Sequence, residues 1–122
     1  MLLYHMLQKS KKQKMITEIR IYKLKENTAT EFITVFTEQS LPMMKRWRVN
    51  VVDYGFSLID VDSFYLIRSY ESIEQRKESQ EAFYGSDEWI NGPEKAIMGC
   101  IDTYNTSVVD SEKLIINKTV SK

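Results

Sequence analysis

The chain has 122 residues, enough for one domain with a single core and too few for two. Apolar residues at 43% and charged residues at 28% match a globular domain and argue against wholesale disorder. The 17 basic and 17 acidic side chains cancel, against a nucleic-acid binder with a net basic face, and no apolar run reaches the ~18 residues of a membrane span.

Residues 1–14 read as an N-terminal arm. The apolar stretch Met1–Leu7 comes first and the run Lys9, Lys11, Lys12 and Lys14 second, the reverse of a signal peptide. The expected location is therefore cytoplasmic. The single cysteine, Cys100, cannot form an intrachain disulfide, which fits a reducing compartment. Regular patterning begins at Met15, a candidate alternative translation start.

From Ile16 to Leu24 the residues alternate. Ile19 and Ile21 share one face, and Glu18, Arg20 and Tyr22 the other, as a strand requires. Thr28-Ala29-Thr30-Glu31 has the form of a capping box. It opens a helix over about 28–48, with a kink or break expected at Pro42. Val49–Val61 and Phe64–Glu71 are rich in β-branched and aromatic residues and predict two strands. They are joined by the turn Asp60-Val61-Asp62-Ser63. A second box, Ser72-Ile73-Glu74-Gln75, opens a helix through Tyr84. Gly85 is placed to take a left-handed cap, and Ser86 or Asp87 to restart a short helix. Asn91-Gly92-Pro93 interrupts that helix, Glu94–Met98 resumes it, and Ile101–Val109 predicts the fourth strand. In the tail, residues 111–122, Leu114-Ile115-Ile116 is a candidate edge strand.

The order strand, helix, strand, strand, helix, strand predicts an α+β, ferredoxin-like βαββαβ fold over residues 15–110. Its four-stranded antiparallel sheet carries helices on one face, and its first and third strands are neighbours at the centre. Val51-Val52 and Phe64-Tyr65-Leu66-Ile67 put large apolar groups on both sheet faces, so the open face needs a cover. A second copy, packed sheet to sheet, is the simplest one.

Several segments in this order resemble the NIPSNAP family. They are Glu18–Leu24, Leu41-Pro42, Arg68–Ser72, Arg76 and Phe83-Tyr84-Gly85-Ser86-Asp87-Glu88-Trp89. The resemblance covers roughly residues 15–110. It implies a dimeric α+β barrel, two sheets face to face, with a pocket in each sheet-and-helix half. Related barrels include cofactor-independent monooxygenases and haem-degrading enzymes, so the fold permits catalysis without establishing it. One departure is Trp47-Arg48-Val49-Asn50, where the family often has a glycine-containing turn.

The residues that point to chemistry are Arg20 and Tyr22 on the first strand and Arg68 and Tyr70 on the third. Two guanidiniums and two phenols on one central face suit a carboxylate, an enolate or a quinone oxygen. The competing reading is structural: Glu18 or Glu71 would neutralise the arginines, and the tyrosines would pack. Trp89 is a candidate for closing the pocket mouth, against a role docking its own helix on the core. Met43, Met44 and Met98 read as core filler. The only histidine, His5, lies in the arm, so no metal or haem site is drawn and no cofactor is expected. Asp60 and Asp62 fit a turn, and Cys100 a small buried residue. The function predicted first is a small-molecule-binding homodimer, which as an enzyme would act without cofactor on a conjugated carbonyl or phenolic substrate. The alternative is a non-enzymatic dimeric scaffold, and a ligand-sized cavity over the Arg/Tyr face discriminates the two.

Overall fold

The structure, a computed structural model, describes residues 14–114. Strand β1, Ile16–Leu24, lies at the centre of the sheet between β3, Ser63–Tyr70, and β4, Ile101–Asp110. Strand β2, Asn50–Phe56, pairs with the outer side of β3. Every pairing is antiparallel. Register sets Glu18 opposite Arg68, Arg20 opposite Leu66 and Tyr22 opposite Phe64. Because side chains alternate, Glu18, Arg20, Tyr22, Phe64, Leu66, Arg68 and Tyr70 share one face, and all are buried. The helices cover that face, giving the ferredoxin-like α+β arrangement.

The first helical stretch has three parts: α1, Ala29–Val35; a π turn, Phe36–Ser40; and α2, Leu41–Arg46. Pro42 has no amide hydrogen to give Glu38, so the expected disturbance appears one turn earlier, where the Leu41 amide reaches back to the Phe36 carbonyl. The capping box at Thr28 does not form. Thr28 lacks the extended backbone of a cap (φ −112°, ψ 1°), and its hydroxyl instead donates to the Lys25 carbonyl at 2.7 Å. At Ser72 half of the box forms: its hydroxyl accepts from the Gln75 amide at 3.0 Å and starts α3, Ile73–Tyr84, while the Gln75 side chain accepts from the Glu71 amide at 3.2 Å instead of that of Ser72.

Strand β2 stops at Phe56 rather than Val61. The Ser57 hydroxyl accepts from the Ile59 amide, and Leu58, Ile59 and Val61 stand in solvent on the loop. Gly85 is not left-handed, since its φ is −89°. Glycine is needed there because a Cβ would meet the Glu81 carbonyl oxygen at 2.7 Å. Helix α4, Asp87–Ile90, restarts on the Ser86 hydroxyl, and α5, Glu94–Cys100, follows Pro93. Of the tail, Ser111–Leu114 forms a 3₁₀ turn, while the rest of the proposed edge strand falls outside the described residues, as does the arm apart from Lys14.

The left-handed cap is found after α2. Arg48 has φ 61°, its amide bonds to the Lys45 carbonyl, and the Val49 amide bonds to Met44. These two bonds make a Schellman motif, closed by buried Val49 against buried Met44. An arginine in this conformation carries a cost of roughly 1–2 kcal/mol that glycine avoids. Glycine's freer unfolded chain gives back about 0.4–1 kcal/mol of that gain. Arg48→Gly is therefore expected to stabilise the domain by about 0.5–1 kcal/mol. A urea midpoint equal to or below that of the parent, at unchanged slope, would refute it.

Candidate functional site

The centre of the helix-covered face is an ionic cluster. Glu18 is 0% exposed, and both its oxygens are fully used. Oε1 accepts from Arg68 Nε at 2.8 Å, with Arg68 Nη2 in ionic contact at 2.7 Å. Oε2 accepts from Gln80 Nε2 at 2.6 Å, Arg76 Nε at 2.8 Å and Arg20 Nη2 at 3.2 Å. Helix α3 supplies Arg76, Gln80 and Tyr84, four residues apart and hence on one stripe facing the sheet. Tyr84 accepts from Arg68 Nη1 at 2.9 Å, and Tyr70 accepts from Gln80 at 3.2 Å. Burial pushes the Glu18 carboxyl up, but Arg68, Arg20 and the hydrogen bonds from Gln80 and Arg68 outweigh it and hold it below the usual range. Glu18 is thus an anion at neutral pH, with both oxygens taken up by their partners. It is no general base.

Three arginines against one carboxylate leave a surplus of two positive charges. That surplus borders a cavity of about 330 Å³ between the sheet and the helices, at the low end of ligand-pocket volumes. Arg20 and Tyr22 form its floor, Phe32, Phe36 and Met44 one wall, and Trp89 and Ile97 another. Polar groups converge from three elements: Ser40 from the π turn, Gln80 and Tyr84 from α3, and Glu94 from α5. The mouth lies between β4 and α5, where Tyr104 and Met98 are each 48% exposed. Arg20 is 9% exposed and stacks its guanidinium 5.2 Å from the Tyr104 ring. Among the described residues its Nε–H and the Ser40 hydroxyl have no hydrogen-bond partner. Burial foremost pushes the Tyr22 phenol up to about 12, so it stays neutral at physiological pH.

Of the residues expected from sequence, Arg20, Tyr22 and Trp89 line this cavity, and Arg68 and Tyr70 do not. Arg68 is 1% exposed and locked to Glu18, the structural alternative weighed for it. Trp89 is an inner wall rather than a lid, buried with its ring 5.0 Å from Tyr84 and 5.5 Å from Phe83. Met43 and Met44 fill the core, but Met98 sits at the mouth instead. Asp60 accepts from the Asp62 amide and pairs with Lys23 at 2.7 Å, as a turn residue does. Cys100 is buried, and burial pushes its thiol up. Among the described residues no group of three His, Cys, Asp or Glu is placed to hold a metal, and no helix is long and apolar enough to cross a membrane.

Sequence reasoning missed Ser40, Gln80, Tyr84 and Glu94. The available signal was the stripe Arg76, Gln80, Tyr84. Helix α3 has no apolar face of comparable length, so polar residues had to meet the core.

The fold is shared with solved structures. An uncharacterized NIPSNAP-like domain protein from Burkholderia xenovorans superposes with a TM-score of 0.74 at 21% identity, over 88% of this chain and 90% of that one. A NIPSNAP family protein of unknown function from Agrobacterium tumefaciens gives 0.73 at 21% identity, over 80% and 88%. A Caulobacter crescentus protein provisionally named an antibiotic biosynthesis monooxygenase gives 0.62 at 18% identity, over 81% and 91%. At these identities the likeness concerns fold alone. No curated protein matches the sequence. The family model described as NIPSNAP matches residues 17–109, most of the chain and nearly all of the pairing of β1 with β3 and β4, so this chain belongs to the NIPSNAP family.

Proposed function

We propose that this protein is a homodimer that binds a small molecule in the cavity between sheet and helices, and that as an enzyme it works without cofactor on a conjugated carbonyl or phenolic substrate. The observation that carries this is Arg20. A guanidinium is rarely buried without full pairing, yet this one makes its hydrogen bonds through Nη2 alone, at 3.2 Å to the shared Glu18 carboxylate and 3.4 Å to Gln80 Oε1, and leaves Nε–H unpaired among the described residues beside the cavity. Such a site favours an anionic oxygen on an apolar body, because the surplus charge attracts the oxygen and the aromatic wall takes the body. The scaffold reading draws on Arg68 and Tyr70, both absorbed in the buried network.

A thermal-shift screen of small aromatic carboxylates, phenols and quinones separates the two, since a ligand held only by the folded state raises the melting temperature. For a hit, Arg20→Gln is expected to remove a charge-assisted bond of about 1.5–3 kcal/mol, weakening binding roughly 10- to 150-fold. The unliganded variant should melt close to the parent, because Glu18 keeps Arg68 and Arg76 and the surplus charge falls. If no compound shifts the parent's melting, the scaffold reading stands.

A further inference from the structure

Among the groups around the cavity, Tyr84 has a hydrogen-bond arrangement of particular use. Its oxygen accepts from Arg68 Nη1 at 2.9 Å, and this is its one hydrogen bond among the described residues. A guanidinium only donates, so the bond consumes a lone pair and leaves the phenolic proton for another acceptor. Arg68 cannot turn away, because its Nε–H is held by Glu18 and the side chain is 1% exposed. Tyr84 is itself a cavity residue. Its hydroxyl is therefore oriented by a fixed cation, which also withdraws charge from the oxygen and strengthens the free proton as a donor.

The second donor is the Arg20 Nε–H, buried and without a partner among the described residues, on a residue 9% exposed. The two donors are linked through one short chain of contacts. Arg20 Nη2 meets Glu18 at 3.2 Å, Glu18 meets Arg68, and Arg68 meets Tyr84. No acceptor in that chain is free, since Glu18 is saturated. Tyr22, on the cavity floor, stays neutral well past physiological pH. Glu94 is the acidic residue on the cavity wall, from α5 rather than from this cluster.

We infer that Tyr84, oriented by Arg68, and Arg20 together form an oxyanion receptor, and that the ligand is a phenolate or enolate whose single ionised oxygen takes both hydrogen bonds. The class follows from the donors and the walls. One oxygen with several lone pairs matches two N–H and O–H donors from different elements, and the flat apolar body fits against Phe32, Phe36 and Trp89. Arg68 is a positioning residue, because it acts on the ligand only through the Tyr84 oxygen. This inference rests on the cavity being a small-molecule site.

The probe is 4-nitrophenol, whose visible absorbance reports its ionisation, with nitrobenzene as a neutral partner of similar shape. Binding of each is followed by quenching of tryptophan fluorescence, since Trp89 lines the cavity. In the parent protein the bound probe is expected to ionise at a proton concentration about tenfold higher than the free probe, a shift of about one pKa unit. Tyr84→Phe is expected to abolish most of that shift while leaving nitrobenzene binding within about twofold, as the ring and the walls are kept. Tyr84→3-fluorotyrosine, a more acidic phenol of nearly the same shape, should enlarge the shift and serves where the phenylalanine variant does not fold. An undiminished shift in Tyr84→Phe, or an unchanged one with fluorotyrosine, overturns the role of Tyr84. Nitrobenzene binding with no preference for the nitrophenolate overturns the oxyanion receptor and leaves the cavity as a ligand site. Failure of both probes to quench rules out the cavity reading and the inference with it.

Discussion

Replacing Glu18 by glutamine is expected to cost about 3–5 kcal/mol, the effect of removing one member of a buried ionic cluster. The reason is specific. Glutamine keeps the volume but removes the charge that holds Arg20, Arg68 and Arg76, and the Arg20 and Arg68 side chains are only 11% and 1% exposed. Arg68→Ala should cost a similar amount, because Glu18 then keeps only the partners on Oε2. Urea denaturation at neutral pH measures both, and a loss under about 1 kcal/mol for Glu18→Gln would show that the cluster adds nothing net, as some buried ion pairs do not. The pH dependence gives a second, independent reading. Glu18 is held below its ordinary value of 4.5, so the unfolded chain binds its proton more tightly than the native one. Its stabilisation is therefore complete above about that value and disappears as pH falls through the lower native one. The parent should lose stability steeply in this acid window, and Glu18→Gln should lose it more gently. Asp60, Glu88 and Asp110 are also held low, but they lie at the surface, where solvent screens their contribution.

The alternation in β1 was legible in the sequence, while the side the helices would cover was not. Strand logic ordinarily turns isoleucines to the core and charges to water. Here Ile19 and Ile21 face outward, and Glu18, Arg20 and Tyr22 lie beneath the helices. What inverts the rule is α3, whose Arg76, Gln80 and Tyr84 meet the sheet and supply the partners that make burial of charge tolerable. A period-2 pattern on one strand cannot contain that information, because it depends on a helix more than fifty residues away. Ser40 was hidden for a local reason. Pro42 announces a disturbed helix but not its form, and the extra residue of a π turn rotates everything before it. A straight helix would have placed Ser40 elsewhere. The turn at Arg48 was also unreadable, since a left-handed arginine looks like any other surface arginine.

The inverted sheet leads to the second large effect expected, on assembly. Ile19 pairs directly with Ile67 and Ile21 with Tyr65 on the face without helices, and Ile21 and Val52 are 41% and 57% exposed. The Tyr65 hydroxyl donates to Asp53 at 2.9 Å, so its polar end is satisfied and its ring remains as apolar surface. A sheet face of this composition is unfavourable in water and suits a second copy packed against it, with an obligate interface of about 2,000 Å² or more in total. The parent is therefore expected to sediment as a dimer at micromolar concentration. In a two-fold interface each substitution occurs on both sides, so Ile67→Lys introduces two ammonium groups that lose water without gaining partners. The penalty is several kcal/mol per uncompensated charge, and each 1.4 kcal/mol is tenfold in affinity, so the dimer should dissociate by at least a hundredfold. The fold should survive as a monomer, because Ile67 points away from the Glu18 cluster and the aromatic core. Circular dichroism should then match the parent's while sedimentation shows half the mass. A parent that is monomeric at micromolar concentration, or an Ile67→Lys protein as dimeric as the parent, would leave this face without a self-partner and remove assembly from the proposed function.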